Sequence, residues 1–294
     1  MIKSLAKDYK IAVLCLVFEV SRQSYYNYVG GRSYNSHLKY NRPRHEIRLE
    51  FIKNRKRYGV RRIQAAIAKG AAIKLSKQTI GKIMKEEGLK AIQPRSFVPR
   101  TTDSKHGKRV CENLLLDQPA PIAPNQVWVS DITYMPLKGG QWCYLAAWQD
   151  KFTKEIVGWQ LADNMREEIV REPLEKALLK RKIKGSGAIK PLIIHSDRGG
   201  QYLSDKMKEL VKTFEIKQSM SRADDPYDNA QAESLWSRLK AELEIPKGGY
   251  GSIEELRSIL FEYIEAYYNR VRLHSSIGYL SPVSFIENFY KKVG

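Results

Sequence analysis

From Val127 onward, β-branched and aromatic residues fall into three short runs, VWVSDITYMPL, GQWCYLAAWQDKF and EIVGWQLA. That texture is the texture of strands, with Gly139-Gly140 and the Asp150–Lys154 stretch as the turns between them. MREEIVREPLEKALLKRK then reads as a helix, with Pro173 placed to kink or split it. PLIIHSD reads as a fourth strand, DKMKELVKTFE as a helix and IKQSMS as a fifth strand. DPYDNAQAESLWSRLKAELE and IEELRSILFEYIEAYYNRV read as long helices, the first with Asp225 as N-cap and Pro226 at its first position. A meander of three strands followed by strands that alternate with helices has few solutions. The order predicts an α/β fold: a five-stranded mixed sheet with flanking helices, its later strands joined by crossovers.

The first third of the chain is of another kind. Residues 1–110 hold 26 Lys and Arg against 7 Asp and Glu, whereas residues 111–294 hold 25 of each. The whole formal charge of +19 therefore sits in front of the sheet-forming segment. A basic front on a neutral body points to a polyanion, with DNA or RNA first; a solubility device, a ribosomal contact or a membrane-surface contact are the plainer readings. Within it, RHEIRLEFIKNRKRYGVRRIQAAIAKG carries two helical patterns around Tyr58-Gly59, with Ile63, Ala66 and Ile67 on one face. LSKQTIGKIMKEEGL begins at Ser76 as N-cap, lines up Ile80, Ile83 and Met84, and stops at Gly88. Its other face carries Lys77, Gln78, Lys82 and Lys85, which suit phosphates and base edges, as do Arg61 and Arg62 before it; a solvated basic helix looks the same. Earlier still, a helix from about Ile11 and a second one capped by Ser21 resemble a helix-turn-helix only loosely.

These shifts set the expected organisation. Residues 1–92 form a basic, all-α, helix-turn-helix-like DNA-binding region. Residues 93–125 form a Pro-rich basic linker, with Pro94, Pro99, Pro119, Pro121 and Pro124 and a short helix around Glu112–Leu116. Residues 126–245 form the catalytic core and residues 246–294 a C-terminal helical extension. Cys15, Cys111 and Cys143 lie far apart, with no C-x-x-C spacing, which argues against structural zinc and a disulfide framework and fits a reducing, cytoplasmic setting. The opening MIKSLAKDYKIAVLCLVFEVS has a signal-like look, but Glu19 interrupts its apolar run and no small-residue cleavage site follows, so a core helix is expected there and no membrane contact.

Two aspartates have matching settings. Asp131 lies inside the first strand and Asp197 ends the fourth. If those strands are neighbours, both carboxylates emerge on one side, and two acids held together need a positive partner. Carboxylate oxygens are what Mg²⁺ selects. Gly199 and Gly200 let the chain turn sharply after Asp197 and leave room for a bulky ligand. A third acid, Glu233, sits at the border of an apolar stripe of Ala232, Leu235, Trp236, Leu239 and Leu243. Lys240 follows two helical turns later, about 10.5 Å along the same face, placed to grip a phosphate. Such a trio can carry two metals that act on a phosphodiester. Any three of 32 acids make a trio, however; Asp150, Asp205, Asp224, Asp225 and Asp228 are competing candidates, better explained, in the case of Asp150, Asp224 and Asp225, by turns and caps.

The motifs WVSDITY, HSDRGGQYLS and PYDNAQAESLWSRLKAEL resemble those of OrfB-type transposases of the insertion-sequence-three family, whose transposase is divided into OrfA and OrfB by a frameshift. The thirty-five residues between Asp197 and Glu233 match the spacing that this family shares with retroviral integrases. The tail YYNRVRLHSSIGYLSPVSF matches through Asn269, Arg272, His274, Ser275, Gly278, Ser281 and Pro282, and RYGVRRI with its following helix resembles the family's DNA-binding region. The resemblance spans roughly residues 45–290. It implies an RNase H-like core, with Asp131, Asp197 and Glu233 as the metal-binding catalytic triad, two Mg²⁺ or Mn²⁺ ions, and Lys240 as the basic residue two turns past the glutamate. It also implies element ends and target DNA as substrates, circular or figure-eight intermediates, an OrfA-type partner or fusion, homo-oligomers on DNA, and a nucleoid-associated enzyme. Trp128, Thr133, His195 and Tyr202 match as well and serve equally as scaffold. Ala223-Asp224-Asp225 departs from the family's usual Gly-Asn or Gly-Asp pair and adds negative charge near the expected DNA. Two other readings stay open from the residues: a DNA-binding regulator without chemistry, which the basic front alone would support, and a simple nuclease on the same core.

Overall fold

A computed structural model describes residues 2–30, 35–93, 111–116, 118–183, 191–222 and 230–293. The chain forms two compact units, residues 1–92 and 93–294.

The first unit is all helical: α1 (Ile2–Leu5), α2 (Ile11–Val17), α3 (Arg22–Val29), α4 (Asn35–Lys53), α5 (Val60–Gly70) and α6 (Lys77–Glu86). Both serine caps are present, since Ser21 Oγ accepts from Ser24 N at 3.0 Å and Ser76 Oγ from Thr79 N at 3.1 Å. Gly88, at φ +66°, ends α6 with the bond from Leu89 N to Met84 O of a left-handed C-cap. The predicted apolar faces pack together: Ile63, Ile67, Ile80, Ile83 and Met84 are buried along with Ile47 and Phe51 of α4. Arg44 pairs with Glu86, and Arg48 with Glu87 at 3.0 Å, tying α4 to the end of α6.

The second unit holds the sheet: β1 (Val127–Pro136), β2 (Trp142–Asp150), β3 (Ile156–Ala162), β4 (Ile193–Ser196) and β5 (Lys217–Met220), in the order β3-β2-β1-β4-β5. The first three strands form an antiparallel meander, and β4 and β5 add parallel to β1. This is the mixed sheet predicted, with the first and fourth strands adjacent. The β1–β2 turn needs glycine: Gly139 and Gly140 both stand at φ +76°. On one face α7 (Glu168–Lys180) and α8 (Asp205–Thr213) cover Trp128, Trp148 and Ile194. On the other, α9 (Ala230–Leu243) and α10 (Ile253–Phe261) cover Met135, Leu145 and Leu161. A last helix, α11 (Pro282–Val293), closes the chain.

Three local expectations need correction. Pro173 neither splits nor ends α7, which runs unbroken through it. Gly158 explains how closely that helix sits, because a Cβ there would lie 2.3 Å from the Pro173 carbonyl oxygen. Glu112–Leu116 is a turn instead of a helix: the Asn113 side chain takes Leu115 N at 2.9 Å and Ser219 Oγ takes Leu114 N at 2.9 Å. The stretch expected as one helix over residues 253–271 switches after Phe261 to a π-helix, Glu262–Tyr268, continued by five-residue bonds such as Asn269 N to Ile264 O at 3.0 Å. The turn after Asp197, Gly200–Leu203, needs no positive φ at Gly199, which stands at φ −56°; the role of that glycine lies beside Asp197, described below. The expected capping by Asp225 and Pro226, the departure at Ala223–Asp225, and most of the linker lie outside the described residues. Among the described residues, no helix is long and apolar enough to cross a membrane.

Candidate active site

Asp131 sits in mid-strand on β1, paired with Ala147 across the antiparallel ladder. On its other side the parallel ladder to β4 runs from Val127↔Ile193 to Val129↔His195. Continued by two residues, that register sets Asp131 level with Asp197, which follows directly after β4. Neighbouring strands lie about 4.8 Å apart, and residues of equal parity share a face. The two carboxylates are therefore crowded by backbone pairing alone.

The electrostatics record the crowding. The Asp131 carboxyl is pushed up to about 8, first by burial and next by the charge of Asp197, with a smaller push from Glu233. Two donors act against the shift: Ile132 N, 2.9 Å from Oδ1, and the Trp236 indole, 3.1 Å from Oδ2. Asp197 Oδ1 accepts from Gly199 N at 3.0 Å. A Cβ on Gly199 would lie 3.1 Å from that same oxygen and 2.9 Å from Gln201 Oε1, so the glycine keeps space clear at the carboxylate. Tyr202, buried, bonds Ser130 Oγ at 2.9 Å. Burial, together with the charges of Asp197 and Asp131, raises its phenol well above the usual range, so it remains a neutral hydroxyl.

His195 serves as scaffold. Its Nδ1 lies 2.9 Å from Ser219 Oγ and its Nε2 3.3 Å from Ser221 Oγ. Ser219 Oγ accepts from Leu114 N and Ser221 Oγ donates to Ser196 O at 3.3 Å, so buried hydroxyls hold the ring on both sides. Asp150 is likewise structural, as expected: its carboxylate takes the backbone N–H groups of Asn125, Phe152 and Thr153 and the Trp128 indole. Asp205 opens α8 and pairs with Lys208 at 2.8 Å. Asp224, Asp225 and Asp228 lie outside the described residues.

Glu233 stands in the first turn of α9, exposed, and near enough for its charge to act on Asp131. The apolar stripe beside it is buried as predicted through Ala232, Leu235, Trp236 and Leu239. Lys240, half-buried, has its ammonium lowered by burial while Asp131 pulls it back up, which places its charge at the same site. Among the described residues, no group of three or more His, Cys, Asp or Glu side chains stands close enough together to hold a metal ion. Asp131 and Asp197 form the close pair, and Glu233 acts on Asp131 more weakly than Asp197 does. The donor set nonetheless suits a hard divalent cation: oxygen ligands only, on rigid strands, with a charge repulsion that a cation would relieve.

Three features of this site escaped the sequence. Trp236 reads there as an apolar stripe residue, and its N–H bond to Asp131 depends on the helix docking. The Tyr202–Ser130 bond spans 72 residues. Gln231, Gln149 and Tyr268 form a chain of polar contacts behind α9; only the tyrosine hydroxyl, inside a matched tail motif, offered a signal.

In the first unit, Lys77, Gln78, Lys82 and Lys85 are exposed along α6, Lys82 with a long 3.9 Å contact to Glu86, and Arg61 is exposed on α5. Arg62 is engaged locally, donating to Arg57 O at 3.2 Å and lying 5.6 Å over the Tyr58 ring.

Comparison with known proteins gives a consistent result. Residues 121–226 and 214–282 match two integrase core domain models, and residues 41–97 match an HTH-like domain. The chain is 37% identical to the 31 kDa protein of insertion element IS600 from Shigella sonnei, over 95% of this chain and 99% of that protein. It is 32% identical to transposase InsF for insertion sequence IS3A from Escherichia coli K12, over 95% of this chain and 94% of InsF. Among solved structures, the HTLV-2 integrase catalytic core domain in complex with magnesium aligns with a TM-score of 0.38 at 18% identity, covering 56% of this chain and 97% of that one.

Proposed function

Because this chain belongs to the family of insertion-sequence transposases that includes InsF of IS3, we propose that Asp131, Asp197 and Glu233 are the catalytic carboxylates with which it cuts DNA at the ends of its element and joins the freed 3′-hydroxyl to a new phosphodiester. The protein is a polynucleotidyl transferase of the acidic-triad type, built on an integrase core. The observation that supports the assignment of residues is the Asp131–Asp197 pair, level at adjacent strands, where burial first and the charge of Asp197 second raise the Asp131 carboxyl to about 8.

Asp131 and Asp197 would hold Mg²⁺ or Mn²⁺, in one or two ions, with Glu233 completing the set from α9. Bound there, the metal supplies nucleophile activation and stabilisation of the leaving oxygen. The chain's own groups do the rest. Strands β1 and β4 fix the two aspartates on a rigid support, where small misplacements are costly. Trp236 orients Asp131. Lys240, on the Glu233 face of α9, is placed to take a scissile-strand phosphate. The first unit supplies DNA affinity through α6 and Arg61. An OrfA-type segment, as a partner or a frameshift fusion, and a homo-oligomer on DNA complete the working form, in the bacterial cytoplasm at the nucleoid.

The test uses the full chain, alone and as an OrfA fusion, with a nicked element-end duplex and Mg²⁺ or Mn²⁺. Asp131→Asn, Asp197→Asn and Glu233→Gln should each abolish cleavage and joining while duplex binding stays at the parent level. Joining at the parent rate by any of the three rejects the assignment. Cutting without joining by the parent would favour the nuclease reading.

A further inference from the structure

The side chains of the tail motif after Tyr267 are among the most buried polar groups of the protein. Arg272 is 0% exposed and Glu242, on α9, 7%. They pair at 2.7 Å, with the Arg272 Nε also donating to both Glu242 oxygens at 3.1 and 3.0 Å. Tyr263 adds a 2.9 Å bond to Glu242 Oε2. A second contact grips the other end of α9. Gln231 Nε2 donates to Gln149 Oε1 at 2.8 Å, and Gln149 Nε2 donates to the Tyr268 hydroxyl at 2.7 Å. Lys154 Nζ donates to Gln231 Oε1 at 2.9 Å. The π-helix brings the two tyrosines into this role, because its wider turn swings residues five apart toward one side. Asn269 fixes the base of the motif, exchanging two 3.0 Å bonds with the backbone of Ile156 on β3.

The helix itself relates these contacts to the chemistry. Residues of an α-helix are spaced about 100° apart around the axis. Gln231, Arg238 and Glu242 share one stripe of α9. Glu233, Trp236 and Lys240 share another, roughly opposite, since Gln231 and Glu233 differ by about 200°. A buried ion pair is a poor source of stability, because apolar replacements of like volume do as well. What a bidentate, directional pair supplies better than apolar packing is a fixed angle.

We propose that the tail residues Tyr268 and Arg272, acting through Gln149–Gln231 and Glu242, are positioning residues that set the roll of α9 about its own axis, and so the placement of Glu233 and Lys240 over Asp131. This rests on the carboxylate assignment above. A roll of 20° would carry a group at the helix surface by about 2 Å, against a tolerance of about 0.5 Å for a working site.

Two variants test it in the full chain: Gln231→Leu, and the paired Glu242→Met/Arg272→Met, which removes both charges together. Mn²⁺ alone is titrated, with binding followed by electron paramagnetic resonance. The protein carries 5-fluorotryptophan, the ¹⁹F signal of Trp236 being assigned by its loss in Trp236→Phe and that of Trp148, on the opposite sheet face, by Trp148→Phe. The expected result is melting within about 3 °C of the parent, a shifted or broadened Trp236 signal with Trp148 unmoved, and Mn²⁺ binding weakened about tenfold or more. If the paired variant does not fold, Gln231→Leu decides alone. An unmoved Trp236 signal in a folded variant overturns the clamp. Asp131→Asn is the separate control: parent-like Mn²⁺ binding there would refute the carboxylate assignment and leave the Trp236 readout to judge the clamp.

Discussion

The indole N–H of Trp236 donates to Oδ2 of Asp131 across 3.1 Å, a bond between residues 105 positions apart. It fastens α9 to the central strand one turn beyond Glu233, so the helix that carries the third acid is docked on the first. Trp236→Phe keeps most of the apolar contact and removes the bond. It should cost about 1 kcal/mol of stability and lower strand cleavage about tenfold, read by urea unfolding and by end-cleavage assay. Parent-like cleavage would show that the bond orients nothing of consequence.

The raised carboxyl of Asp131 gives a pH dependence with a definite sign. Its folded value, about 8, lies above the ordinary 3.8. Between those two values the metal-free native state holds a proton that the unfolded chain has released. Stability from this group is therefore full below the ordinary value, falls as pH rises through that window, and is flat above about pH 8. Asp131→Asn should remove that component from the pH–stability profile. At pH 7 metal binding should release a proton, seen as a Mn²⁺ binding enthalpy that changes with the ionisation enthalpy of the buffer.

Two glycines should respond oppositely to alanine. At Gly158 the new Cβ would meet backbone, 2.3 Å from the Pro173 carbonyl oxygen, so α7 and β3 must separate. Gly158→Ala should destabilise by about 3 kcal/mol. At Gly199 the nearest atoms are side-chain oxygens, Gln201 Oε1 at 2.9 Å and Asp197 Oδ1 at 3.1 Å, and φ is −56°. Gly199→Ala should fold within about 1 kcal/mol of the parent and lose cleavage about tenfold or more, because Asp197 must shift. Equal melting of the two variants would contradict this.

Charge removal should separate phosphate contact from base reading. Lys240→Gln and Lys82→Gln should weaken binding evenly across DNA sequences and lower the salt slope by about 1 each. Gln78→Ala should leave the slope unchanged and narrow the preference for the element end. Filter binding on end and scrambled duplexes over a salt series distinguishes these outcomes.

Much of this protein follows from local pattern. Period-two runs gave the strands, apolar faces and serine caps gave α3 and α6, and the adjacency of the first and fourth strands, a condition in the sequence, was met by the fold. Once Val129 pairs with His195, the level placement of Asp131 and Asp197 needs only counting. Two expectations failed: α7 runs unbroken through Pro173, and the Asn113 side chain captures a backbone N–H that a helix would have used.

The sequence by itself determined the strands and their succession, the face of α9 that carries Glu233 and Lys240, and the identity of the acidic candidates, because each depends on spacing within one element, whereas the order of the strands in the sheet came from the fold. Only the tertiary structure decided what those residues meet: the indole on Asp131, the phenol of Tyr202 at Ser130, and Arg272 locked to Glu242 thirty residues away. Such contacts are set by how whole elements dock, and no periodicity along the chain encodes which polar atoms face each other once water has been excluded between them.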